Sequence, residues 1–385
     1  MSDPLPHCVT MNGPTPYERG VALGKQQMEQ IRNFVRTWLM CHPSSLGPSE
    51  EFARSLVEET GHLAAANHYT PHLVEEVRGM ADGADIAFDI LFAAQLLDEE
   101  WNLIRQKEGP VSDPERCSVV GLSRGRHGAS ILAQNMDVSP WSEGSQTLTH
   151  TRGEGEASDA IVLTFPGYIG LCGLNARGIG LTCNALVDLP YNPDGLPVAF
   201  IARRLLESAS LDEAKTFLSN INHASGQCYT MVDRDKLISF ECCSTSAEPM
   251  PAAPNSPATC LHTNHPIWYS SAPVVTSPAS PTTHERLAAL ERRFETQAES
   301  YEEVLERTRE ALSSRDDPDQ PVSRERAELE GFEGAINYTY ASLIYVVENG
   351  GSSLLMASGP PSQNPYRQMA SIDEDGTIHF PLYKD

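Results

Sequence analysis

From Cys117 onward the chain changes texture, and this limits its fold more than any other feature. CSVVGLS, ASILAQNMD, AIVLTFP, IGLTCNAL, QCYTMVD and KLISFEC are short runs rich in β-formers, separated by Gly, Asn and Asp. Roughly the first 110 residues read differently. YERGVALGKQQMEQIRNFVRTWLMC places apolar residues at Val21, Leu23, Met28, Ile31, Val35, Leu39 and Met40, close to helical spacing. EEFARSLVEETGHLAAANHY and TPHLVEEVRGMADGADIAFDILFAAQLLDEEWNLI continue it, with a break predicted at 83–86.

Helices return inside and after the strand-rich region. VAFIARRLLESASLDEAKTFLSNI predicts one or two helices, with Ser210 as a cap ahead of Asp212 and Glu213. Residues 244–260 read as loop, because prolines cannot build a core strand. HERLAALERRFETQAESYEEVLERTREALSS predicts a charge-laced helical region, and RDDPDQPVSRERAELEG a polar connection. YTYASLIYVVENGGSSLLMASGPP predicts a final hairpin turning at Asn349–Gly350. Helices, then strands with a helical insert, then helices, then strands point to an α+β or layered sheet-and-helix protein. There is no βαβ alternation, no G-x-G-x-x-G after a strand, no G-x-x-x-x-G-K and no G-x-S-x-G.

Composition narrows the partners. A formal net charge of -24 over 385 residues argues against nucleic acid and an anionic membrane surface. No window reaches the roughly 20 apolar residues of a membrane span, and MSDPLPHCVTMNG lacks the basic and apolar regions of a signal peptide. The nine cysteines are scattered, without a C-x-x-C pair, which suits reduced thiols and a cytoplasmic location. His262 and His265 have no carboxylate or cysteine set at metal-ligand spacing, so neither a metal nor a redox cofactor is expected.

Cys117 stands where a nucleophile needs to be. A thiol attacks an acyl carbon only as thiolate, so it requires a base. A histidine can supply one. So can the α-amine of the cysteine itself, with a pKa near 8, if the chain is cut just before it. EGPVSDPERC gives an irregular polar approach, and CSVVGL then begins a strand. If SRGRHG is a turn, the returning strand brings Asn135 and Asp137 back beside Cys117. A plain reading also stands: Cys117 as a small buried hydrophobe and Asp137 as the end of a strand.

The chain resembles the acyl-coenzyme A:isopenicillin N acyltransferase family, the self-processing N-terminal-nucleophile hydrolases of the C45 peptidase type. The resemblance is carried by PTPYERGVALGKQQMEQIR, EEVRGMADGADI, CSVVGLSRGRHGASILAQNMD, GLNARGIGLTCNAL and LHTNH, five segments in the family's order across nearly the whole chain. It implies a four-layer αββα fold. Residues 1–116 would be a helical segment that becomes the small chain, and 117–385 the catalytic chain. The two would stay associated as one structural domain. Homo-oligomerisation is left open.

The same resemblance implies roles. Cys117 would be the nucleophile, first in self-cleavage at Arg116–Cys117 and then toward substrate. Its freed amine would be the base, Asp137 would support that amine, and Asn264 would donate to the oxyanion. Asn135, Asn175, Asn184 and His265 are carried as substrate-binding candidates, with turn and packing roles as the alternative for Asn175 and Asn184 and loop support for His265. Arg116 departs from the family, which has Gly there and so reaches strained angles more easily. Asn337-Tyr338 and Cys243 replace residues of the penicillin enzymes and argue against penicillin biosynthesis.

The expected activity is hydrolysis or acyl transfer at the amide of a small N-acylated amine, amino acid or peptide. Coenzyme A would enter only as an acyl donor. An uncleaved Cys117 with His127, His262 or His265 as base is one alternative, and a non-enzymatic ligand-binding member is another.

Overall fold

The computed structural model describes residues 5–42, 46, 49–108, 117–126, 128–153, 155, 157–251, 258–271, 282–296, 298, 300–325 and 337–383. Before Cys117 come β1 (His7–Thr10), α1 (Pro16–Gln26), α2 (Met28–Met40), α3 (Ser49–Glu58), α4 (His62–Tyr69), α5 (Pro71–Ala84), α6 (Phe88–Ala93) and α7 (Glu100–Glu108). The next stretch holds β2 (Ser118–Leu122), β3 (Ser130–Val138), β4 (Thr147–Thr151), β5 (Ala160–Thr164), β6 (Cys172–Asn175) and β7 (Gly180–Ala185). Then follow α8 (Val198–Leu205), α9 (Leu211–Asn220), β8 (Gln227–Val232), β9 (Leu237–Cys242), β10 (Ala247–Pro249) and β11 (Thr259–His262). The chain closes with α10 (Thr283–Glu291), α11 (Tyr301–Leu312), β12 (Tyr338–Glu348), β13 (Gly351–Ala357), β14 (Arg367–Asp373) and β15 (Ile378–His379).

The strands form two sheets, ordered β1-β4-β5-β6-β7-β8-β9-β10 and β11-β2-β3-β12-β13-β14-β15. β1 lies parallel to β4, whereas the hairpins β2–β3, β6–β7, β8–β9 and β12–β13 are antiparallel. The sheets face each other, with β2 and β3 against β7 and β8. Side-chain alternation along a strand then decides which layer each residue joins. Val120, Leu122, Ile131 and Ala133 pack with Leu290, Val304 and Leu312 of α10 and α11. Val119, Leu132 and Met136, one position out of phase, join the main core instead. That core runs on through Ile161 and Leu174 to Leu23, Leu73, Phe92 and Phe200 of the helices on the far side. The layers are therefore helices, sheet, sheet, helices, as an α+β reading requires.

Glycines set the helical layer. A Cβ on Gly20 of α1 would lie 2.1 Å from the Glu76 carbonyl oxygen, and one on Gly79 of α5 2.0 Å from that of Tyr17. No larger residue allows the two helices to meet so closely. This is the physical content of RGVALG and GMADG.

Some local expectations need correction. The segment 17–41 is helical as expected, in two helices interrupted at Gln27, whose backbone leaves the helical region at φ -111° and ψ 21°. The loop assigned to 244–260 contains β10, an edge strand that tolerates Pro249 because its outer side needs no partner, and the start of β11. The β12–β13 hairpin is not final, since β14 and β15 extend its sheet. β1 and β4, short and mostly polar, carry too little pattern to stand out. The break near 83–86 is where expected, with Asp85 in the left-handed region at φ 52°. Ser210 caps α9 by accepting from the Glu213 amide at 3.2 Å.

Candidate active site

Cys117 immediately precedes β2 and is buried. In the β2–β3 hairpin Ser118 pairs with Asn135, so the same register continued one residue sets Met136 opposite Cys117, with Asp137 next along. The Asp137 carboxylate is fully buried, and its Oδ1 accepts from the Thr339 hydroxyl at 2.7 Å. β11 pairs with β2 on the other side, with His262 opposite Val119. Continued two residues, that register sets Asn264 opposite Cys117. Three adjacent strands thus bring residues distant in sequence to one end of the sheet.

Arg286 ties them together. It is fully buried on α10; its Nη1 donates to the Cys117 carbonyl oxygen at 2.5 Å and to Ser118 Oγ at 3.0 Å, and its Nη2 to Asn264 Oδ1 at 2.9 Å. With its oxygen held this way, Asn264 directs its amide NH2 elsewhere, and one N–H goes to the Ala185 carbonyl at 3.1 Å. The Asn264 backbone N–H donates to Thr283 Oγ1 at 2.9 Å. Asn184 sits behind this loop: its Nδ2 donates to the Thr263 carbonyl at 3.0 Å, while its buried Oδ1 has no hydrogen-bond partner among the described residues.

Arg286 and Thr339 do not stand out in the sequence. Arg286 lies in a charge-laced helix and looks solvated. One signal was present, because Thr283, Arg286, Ala289 and Leu290 share a helical stripe that is the buried face of α10.

Other expected residues are employed differently. Asn175, at the β6–β7 turn, donates to the Leu206 and Ser208 carbonyls and accepts from the Arg177 and Ile179 amides. All of its hydrogen-bonding capacity is taken by backbone. Asn135 faces the α10–α11 layer, donating to the Leu312 and Val322 carbonyls and accepting from Ser342 Oγ. Both asparagines are engaged in holding structure, the turn-and-packing alternative named for Asn175. Arg116 and His127 lie outside the described residues.

Of the candidate bases, His262 and His265 are among the described residues, and both are otherwise engaged. His262 has both ring nitrogens engaged, Nε2 with Glu241 at 2.9 Å and Nδ1 with the Thr263 carbonyl at 2.8 Å. His265 rests on Thr283 Oγ1 at 2.9 Å, and its pKa is pushed down to about 4 by burial and by the neighbouring His284.

Two clefts are lined in part by chain or hydrogen-bonding neighbours of these residues. One is walled by Trp101, Trp141, Phe165 and Tyr168 and includes Val138 and Ser139, which directly follow Asp137. The other reaches Ala185, Tyr191 and Arg105, and Asp98 and Trp101 belong to both. Beside Asp98, buried Glu99 is pushed up to about 8 by desolvation and by the Asp98 charge. Among the described residues no group of three or more His, Cys, Asp or Glu is arranged to hold a metal ion, and no helix is long and apolar enough to cross a membrane.

The family model for acyl-coenzyme A:6-aminopenicillanic acid acyl-transferase matches residues 123–348. The chain belongs to this family. Asp137, Asn264 and Arg286 lie inside the matched stretch, and Cys117 just ahead of it. Family membership places the chain among enzymes of acyl transfer. Among solved structures, two forms of the conjugated bile acid hydrolase from Clostridium perfringens are similar at 14% identity, with TM-scores of 0.44 and 0.46. Each alignment covers 69% of this chain and 97% of the hydrolase. Penicillin V acylase from Agrobacterium tumefaciens is similar at 15% identity and a TM-score of 0.35, over 63% of this chain and 82% of the acylase. No curated protein matches significantly.

Proposed function

We propose that the chain is a cysteine amidohydrolase that uses Cys117 as an N-terminal nucleophile on small N-acylated amines, amino acids or peptides. The observation that carries this reading is the Arg286 bridge, which couples the backbone of the thiol residue to a side-chain amide aimed by its own oxygen. The chain is first cut between Arg116 and Cys117, which frees an α-amine. Asp137 holds that amine. The amine takes the thiol proton, and sulfur attacks the acyl carbon. The Asn264 N–H that is not given to Ala185 donates to the oxyanion, a contact of the kind worth ~2.7–4 kcal/mol. The C–N bond then breaks, and the α-ammonium returns its proton to the departing amine. Water attacks the thioester and releases the acid, or a second amine takes the acyl group.

The aromatic cleft next to Asp137 suits an apolar part of the substrate. The segments on either side of the cut are interleaved, which favours their staying together. β1 lies in a sheet with β4, and buried Arg203 of α8 is paired with Glu207 at 2.9 Å and stands 3.7 Å from Glu76 of α5. A coenzyme A thioester is the alternative acyl donor if transfer prevails.

The test is a panel of N-acyl amides, quenched during turnover and analysed for an acyl adduct on the peptide that begins at Cys117. Amide hydrolysis with that adduct supports the reading. Turnover of coenzyme A thioesters alone replaces it with the transferase, and no turnover of either class overturns it.

A further inference from the structure

We infer that Glu241 is a positioning residue for the oxyanion donor Asn264, an inference that rests on the amidohydrolase reading above. Glu241 lies on β9 with its side chain fully buried. Its Oε1 accepts from the Ile267 amide at 2.6 Å and from His262 Nε2 at 2.9 Å. Its Oε2 accepts from the Trp268 amide at 3.1 Å and the Tyr269 amide at 2.6 Å. Three consecutive backbone N–H groups and one imidazole thus converge on a single carboxylate. An ionised carboxylate offers about four lone-pair sites and no donor, so it matches this set.

The loop so gathered begins at Asn264. His262 carries the constraint forward, since its other nitrogen meets the Thr263 carbonyl, the same oxygen that receives Asn184 Nδ2. The peptide entering Asn264 is therefore fixed from the β9 side. From the α10 side, Thr283 holds the Asn264 amide and Arg286 its oxygen. Glu241 touches none of the reacting groups and acts only by keeping Asn264 in place.

Glu241→Gln keeps the shape but exchanges one acceptor oxygen for an NH2 that meets backbone donors head-on. The loop then shifts. Misplacement by about 1 Å can cost on the order of a hundredfold in rate, so kcat falls by that order while KM stays within about threefold. A structural role alone would not couple the substitution to Asn264. The test is therefore a double-mutant cycle on kcat with Asn264→Ala, with thermal melts of each variant. His262→Asn, which leaves the three backbone donors on Glu241, forms a second cycle should Glu241→Gln fail to fold. The inference requires that either loop substitution cost little further once Asn264 is Ala. Full multiplication of the two losses in an active protein overturns it and leaves the amidohydrolase reading intact. A wild type without amidase activity overturns both.

Discussion

Arg286 holds Cys117 and Asn264 at once, donating to the carbonyl oxygen of the first at 2.5 Å and to the side-chain oxygen of the second at 2.9 Å. A guanidinium reaches two such acceptors with a fixed angle between its nitrogens; an ammonium does not. Arg286→Lys should therefore lower kcat by at least tenfold, and Arg286→Ala further. Arg286→Ala should also cost stability, at ~1–3 kcal/mol for each buried acceptor left unsatisfied. Steady-state kinetics beside urea unfolding separates the two effects. Unchanged kcat in Arg286→Lys would remove the bridge from the mechanism.

Asn264→Ala removes the proposed oxyanion donor while leaving Thr283 and Arg286 in place. The expected loss in kcat is ~10²–10³-fold, with KM little changed because the interaction strengthens only as charge develops on oxygen. A loss confined to KM would make Asn264 a substrate-binding residue instead.

Asn175→Ala distinguishes a turn-closing asparagine from a substrate contact. The side chain closes the β6–β7 turn and anchors the Leu206 and Ser208 carbonyls, so its loss should lower the melting temperature. Rate per folded molecule should not change. A normal melting temperature with a raised KM would restore Asn175 to the substrate site.

Glu99 gives a pH signature. Its pKa is raised to about 8 in the folded chain, against an ordinary carboxylate value when unfolded. Between these values the folded state holds a proton that the unfolded state has released, so stability falls as pH rises through that window. Relative to wild type, Glu99→Gln should be less sensitive to pH in urea unfolding between about pH 5 and 8. Parallel curves would contradict the assignment. Comparing with the variant is necessary because His223, pushed down to about 4 by burial, contributes the opposite slope at acid pH.

Gly79→Ala tests the helical layer. Its new Cβ meets the Tyr17 carbonyl at 2.0 Å, and separating α1 from α5 should cost ~1–3 kcal/mol or more. Thermal unfolding measures it; a wild-type melting temperature would show that the helices can shift freely.

Much of this arrangement was legible from local pattern. The strands around Cys117, the turn before β3 and the Ser210 cap follow from alternation, glycine and N-cap chemistry, because each is decided within a few residues. β1, β4 and β10 were not, since a short edge or parallel strand takes its stability from a distant neighbour. The same holds at the site. Cys117, Asp137 and Asn264 could be named from motifs. Arg286, Thr339 and Glu241 could not, because burial turns ordinary surface residue types into single-purpose donors and acceptors, and burial is a property of the packed layers. Asn175 shows the reverse: a motif asparagine whose work is to close a turn.

The central claim is that Cys117 becomes a chain terminus. Intact mass spectrometry of freshly purified protein beside Cys117→Ala tests it most directly. The account predicts two fragments meeting between Arg116 and Cys117 in the wild type and one full-length chain in the variant. A single full-length mass in both would contradict the α-amine mechanism.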